Sequence, residues 1–153
     1  MAIKWMLCYE EPEGRTLWLA KATPREWLAP GEAPLQATNL TTRYGRVSFA
    51  ISPPAAADGA TYAVRVNVTL PPSFASVKPA GGVRVRVRAP RAYAGRLSGV
   101  TVGGEVWSAF SAAEETVDIP VSKLTAGLLG SGGLSQIVAT FGGAAAVPLR
   151  LAA

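Results

Sequence analysis

Apolar and polar residues alternate most regularly over residues 60–70, where Tyr62, Val64, Val66, Val68 and Leu70 interleave with Thr61, Ala63, Arg65, Asn67 and Thr69. A period of two predicts a strand with one face in a core and the other in solvent. Val83, Val85 and Val87 alternate with Arg84, Arg86 and Arg88 in the same way, and Pro71, Pro72, Pro79, Gly81 and Gly82 read as the connection. Read as neighbouring strands, the two set Arg65 beside the arginine row.

Further strands are predicted at 16–21, 35–40, 46–51, 98–102, 115–120, 134–141 and 146–151, most of them separated by turn residues. Many short strands at this spacing point to an all-β domain, because an open sheet of that size exposes an apolar face. The expected fold is a two-sheet antiparallel β-sandwich, immunoglobulin-like or jelly-roll-like, with one or two short helical turns. One turn is placed at 24–28, with Thr23 as N-cap and Pro24 at the first helical position, and a second at 121–129, capped by Ser122. Residues 3–11 suit either a helix or a strand.

A chain of 153 residues fits a single domain spanning 1–153. The 16 glycines and 12 prolines are dispersed between apolar runs, as expected of many turns rather than one linker. No apolar run reaches the roughly 18 residues of a membrane span, and residues 1–20 carry Lys4, Glu10, Glu11, Glu13 and Arg15 where a signal peptide needs an apolar stretch.

Histidine is absent and Cys8 is the lone cysteine, so the usual general base, an internal disulfide and a cysteine-cluster metal site are all missing. No cofactor motif is present. Glu10-Glu11 and Glu114-Glu115 are adjacent carboxylates, but neighbours on a strand point to opposite faces, so they read as solvated charge rather than a glycosidase pair. Neither a catalytic residue nor a metal ligand is assigned.

The net charge of +5, drawn mainly from eleven arginines, favours anionic partners. Arg84, Arg86 and Arg88 would stand at intervals of roughly 6.6 Å along one sheet face, a spacing that can track sulfates, uronates or phosphates. The competing reading is a solvated face that discourages edge-to-edge aggregation. Nucleic acid is disfavoured because no aromatic residue is interleaved with these arginines. Among the tryptophans, Trp18 and Trp27 read as structural and Trp107, after Gly103-Gly104, as the best candidate for a sugar-stacking surface with Arg65 and the arginine row. Asn39-Leu40-Thr41 and Asn67-Val68-Thr69 match the N-glycosylation pattern, with both asparagines on outward positions.

The stretch Leu17-Trp18-Leu19-Ala20-Lys21-Ala22-Thr23-Pro24-Arg25-Glu26-Trp27-Leu28, with Gly31 and then Thr42-Arg43-Tyr44-Gly45-Arg46-Val47-Ser48-Phe49, resembles the start of the C-terminal β-sandwich in large bacterial proteins related to glycoside hydrolases with an (α/α)6 toroid. The resemblance covers residues 6–51, about a third of the chain. It implies a sandwich whose catalytic toroid would lie upstream, so no catalytic residue carries over. It also implies that residues 1–15 form an N-terminal arm or the remnant of that upstream domain. An extracellular or cell-surface location follows from the same resemblance. The expected partner is polysaccharide, of acidic character, or an upstream catalytic domain. The alternative is a structural subunit that forms a homo-oligomer, surface layer or fibre by exchanging the segment 3–9.

Overall fold

A computed structural model describes residues 2–56, 60–125 and 134–142. A short helix, α1 (Ala2–Leu7), leads into β1 (Cys8–Glu10) and β2 (Leu17–Leu19), so the ambiguous N-terminal segment holds both predicted states in succession. Then follow β3 (Leu35–Thr42), β4 (Gly45–Ser52), β5 (Tyr62–Thr69), β6 (Val83–Arg86), β7 (Leu97–Val102), β8 (Glu105–Trp107), β9 (Phe110–Ser111), β10 (Thr116–Ile119) and β11 (Leu134–Phe141). The first sheet runs β1-β2-β6-β10-β9 and the second β3-β4-β5-β11-β7-β8. Together they form the expected all-β sandwich.

Among the described residues every pairing is antiparallel except β2 with β6, where Leu17, Trp18 and Leu19 lie beside Val83, Arg84 and Val85 in parallel. The long excursion through β3, β4 and β5 separates these two strands in sequence, so no tight turn dictates their relative direction. That excursion also corrects the expected adjacency of β5 and β6. β5 pairs with β4 and β11 in the second sheet, whereas β6 sits between β2 and β10 in the first. Arg65 is therefore remote from the arginine row, on the outer face of the opposite sheet.

The inward residues of both sheets form one core, including Leu17, Leu19, Val83, Val85, Val117 and Ile119 from the first sheet and Val47, Ile51, Val64, Val66, Ile137 and Phe141 from the second. Tyr62 packs edge-on to Phe141 at 5.6 Å and stacks on Tyr93 at 5.1 Å, while its hydroxyl donates to the Leu28 carbonyl at 2.5 Å. Glycine admits β6 into its sheet. Gly82 has a φ of 78°, its carbonyl accepts the Leu17 N-H at 3.0 Å, and a Cβ there would strike the Ile119 carbonyl.

The predicted helical turns shrink to 3-10 turns. Arg25–Leu28 begins one residue late with Pro24 at the cap position, because the buried Thr23 hydroxyl donates back to the Ala20 carbonyl at 3.4 Å. The second turn is Val121–Lys123, with Pro120 rather than Ser122 at the cap. The turn ends there, since Leu124 and Thr125 are not helical; residues 126–129 and the expected strand 146–151 lie outside the described residues. β8 and β9 were not anticipated, because strands of three and two residues are too short to display a period.

Two tests follow from the core. Replacing the fully buried Phe141 with alanine should lower unfolding stability by about 3–5 kcal/mol with an unchanged urea m-value, as large-to-small core changes do; a loss below about 1 kcal/mol would contradict this packing. Cys8 faces the core from β1, and burial, reinforced by Glu10 and opposed by Lys4, pushes its thiol from 9.0 up to about 11. Its thiolate fraction at pH 8 should thus be about 100-fold below that of the unfolded chain, and disulfide reagents should label it correspondingly more slowly. Equal labelling rates with and without denaturant would contradict the burial.

Candidate functional site

The outer face of the first sheet is read across its strands as Tyr9, Trp18, Arg84 and Asp118, residues brought side by side by the pairings of β1, β2, β6 and β10. Trp18 is only 7% exposed, yet it does not belong to the core between the sheets. Instead, it lies beneath cations: Arg84 and Arg86 stand 4.9 and 5.1 Å from its ring centre and Lys21 5.4 Å, within reach of the ring's negative face. Its Nε1 donates to Glu11 Oε1 at 2.9 Å. Lys21 also stands 3.7 Å over the Tyr9 ring. The aromatic residues missing from the linear neighbourhood of the arginines are thus supplied by adjacent strands, but the covered Trp18 ring offers no face on which a base can stack.

The three arginines of the row are held in different ways, none as a freely solvated charge. Arg84 makes an ion pair with Asp118, and this hydrogen bond raises its pKa against the opposing effect of burial. Arg86 donates from Nη1 to the Lys21 carbonyl at 2.9 Å, while its buried Nε has no hydrogen-bond partner among the described residues. Burial, with Arg88 close by, lowers the Arg86 pKa. Arg88 reaches the Thr23 carbonyl through Nη1 at only 3.4 Å.

Beyond β6 the row ends at an open pocket of about 580 Å³ lined by Pro24, Arg25, Glu26, Arg88, Arg91 and Ala94. Arg25 comes from the 3-10 turn after β2 and Arg91 from a second turn, Arg91–Tyr93, that follows Pro90. The pocket wall is fixed from beneath. Glu115 is 2% exposed and adopts a left-handed φ of 56°. Its Oε2 pairs with Arg25 Nη2 at 2.8 Å, and its Oε1 accepts both Arg25 Nη1 at 2.9 Å and the Gly95 N-H at 3.2 Å. Arg25 Nη1 also donates to the Ala89 carbonyl at 2.6 Å. Three guanidinium groups stand against the carboxylates of Glu26 and Glu115, leaving one net positive charge at the pocket.

The carboxylate pairs need correction here. Glu115 is a buried anchor rather than solvated charge, because the left-handed backbone turns its side chain inward. Glu10 binds Arg43, through its side chain at 3.4 Å and its amide at 2.7 Å, and Glu11 holds Trp18. Arg25, Arg91 and Lys21 carry no periodic signal in the sequence because all three lie in turns and none continues the alternation of β6.

The remaining candidates lie elsewhere. Trp107 is half-buried, and its Nε1 donates to the Asp118 carbonyl at 2.9 Å, tying the second sheet to the first. A groove of about 340 Å³ beside it includes Gly99, Thr101, Val106, Phe110 and Val138. Trp27, expected to be structural, is 42% exposed, since Leu28 is the residue of that turn that enters the core. Asn39 is exposed at a left-handed bulge of edge strand β3, with its N-H donating to Ser48 Oγ at 2.9 Å. Asn67 is exposed on the outer face of β5, where its Oδ1 accepts Gln136 Nε2 at 3.1 Å. Arg65 is exposed on that same face. Among the described residues, no three His, Cys, Asp or Glu side chains group as metal ligands, and no helix is long and apolar enough to cross a membrane.

Glu115→Gln should destabilise the protein by about 2–3 kcal/mol, somewhat less than breaking a fully buried pair, because Arg25 keeps some solvent contact. Glu26→Gln, at an exposed position, should change stability by less than about 0.5 kcal/mol. Equal urea midpoints for the two variants would contradict the anchoring role of Glu115. Set beside known proteins, the chain matches no family model, no curated protein and no solved structure.

Proposed function

We propose that this chain is a non-catalytic accessory β-sandwich that binds acidic polysaccharide through the outer face of its first sheet. The observation that carries the reading is the concentration of cations there: Lys21, Arg84 and Arg86 over Trp18, continuing through Arg88 to the pocket with Arg25 and Arg91. A rigid sheet face with guanidinium groups prearranged by backbone carbonyls and carboxylates suits a repeating anion, since few side chains need ordering on binding. The motif resemblance of residues 6–51 to sandwiches that accompany toroid glycoside hydrolases supports the polysaccharide class.

A second reading, a self-assembling subunit, has its own observation. Ile3 and Trp5 on α1 are 67% and 60% exposed, next to the edge strand β1. Exposed apolar residues beside a strand edge that no described strand pairs with favour strand addition by another copy.

On the leading reading, the purified chain should be retained by immobilised polygalacturonate or dextran sulfate but not by neutral dextran. Raising salt from about 0.05 to 0.3 M should weaken retention at least 10-fold, as screening of exposed charges requires. Equal retention on the neutral polymer, or none on either acidic polymer, would sink the reading. A solution mass that climbs with concentration would shift the weight to self-assembly.

A further inference from the structure

We infer that the pocket between Arg25, Arg88 and Arg91 is a subsite for one singly charged anionic substituent of a sugar, a carboxylate or a sulfate ester. Arg88 and Arg91 contact the anion, and Glu26 accepts a hydrogen bond from a neighbouring sugar hydroxyl. The inference rests on the polysaccharide-binding reading and deepens it.

The three guanidinium groups are not equivalent. Arg25 directs its terminal nitrogens to Glu115 and the Ala89 carbonyl, so it forms the fixed wall and acts as a positioning residue. Among the described residues Arg88 is held by the 3.4 Å contact with the Thr23 carbonyl alone, and no carboxylate makes an ion pair with Arg88 or Arg91. Both therefore keep donors for a ligand that lines up two oxygens, as carboxylates and sulfate esters do. An incoming anion also relieves the repulsion between like charges on one wall.

Glu26 sets the charge limit. With the pocket holding one net positive charge, a monoanion is neutralised, whereas a dianionic phosphate leaves an excess of negative charge beside a carboxylate. The sugar hydroxyls supply the donors that Glu26 accepts, which a bare inorganic anion lacks. A shallow depression of about 580 Å³, largely open to solvent, has room for the ring that carries the substituent.

The test follows arginine side-chain N-H signals by NMR while methyl galacturonide, methyl galactoside 6-sulfate, unsubstituted methyl galactoside or inorganic phosphate is added to the full chain. The expected result is saturable shifts at Arg88 and Arg91 with the two anionic sugars, and none with the neutral one. The stronger of the two identifies carboxylate or sulfate ester as the preferred source. Arg91→Gln should weaken that binding at least 10-fold, since a charge-assisted bidentate contact is lost. Arg65→Gln, on the opposite outer face, should leave it within about twofold. Phosphate binding as tightly as the anionic sugars would overturn the assignment to a sugar. If Arg88→Gln and Arg91→Gln bind the acidic monosaccharides and polymers like the parent, the pocket assignment fails while the polysaccharide reading survives. If no acidic polymer binds but the monosaccharides still titrate Arg88 and Arg91, the polysaccharide reading fails and the subsite stands.

Discussion

The placement of β6 between β2 and β10 is the constraint on which the other features depend. Its valines are essentially removed from solvent on the core side, while Arg84 and Arg86 emerge on the other side of the same four residues. Because side chains alternate along a strand, neither consequence exists without the other: the pairing that closes the core also raises the arginines. The glycine pair before β6 makes this pairing sterically feasible, and the parallel contact with β2 delivers Trp18 to the spot where the arginines can cover it.

Concentrating cations on one face has a cost that the fold offsets locally. Arg84 is neutralised by Asp118 across the β6–β10 pair, and Arg25 by Glu115 beneath the pocket. Backbone carbonyls of Lys21 and Thr23 take up donors of Arg86 and Arg88 without cancelling their charge. The face stays positive, because among the described residues Lys21, Arg86, Arg88 and Arg91 make no ion pair with a carboxylate. The second sheet differs: its outer face carries Ser48, Asn67, Thr69, Gln136 and Thr140 with two cations on separate strands, Arg46 on β4 and Arg65 on β5. The two outer faces therefore offer different chemistry to a partner.

Much of this fold was legible in the sequence, because a period of two is a direct imprint of a half-buried strand. β4, β5, β7 and β11 appear close to where alternation predicts them. Strand order was not legible. The Val-Arg run and the strand before it read as neighbouring strands, yet residues 71–82 carry the chain from one sheet to the other. The arginine row could be seen, but its partners could not, since Trp18, Asp118 and the Lys21 carbonyl reach it through pairings remote in sequence. Glu115 was the hardest to anticipate. A carboxylate beside another carboxylate reads as surface, and only its left-handed backbone and the arrival of Arg25 from the turn after β2 make it a buried anchor.

On the proposed reading, the first sheet's outer face, and not the second's, meets an acidic glycan. The most direct measurement is a crystal structure of the chain with an acidic oligosaccharide about six sugars long. The expected result is a ligand lying along Arg86 and Arg88, with one charged substituent in the pocket between Arg88 and Arg91. A ligand seated on the outer face of the second sheet, beside Asn67 or in the groove at Trp107, would contradict it.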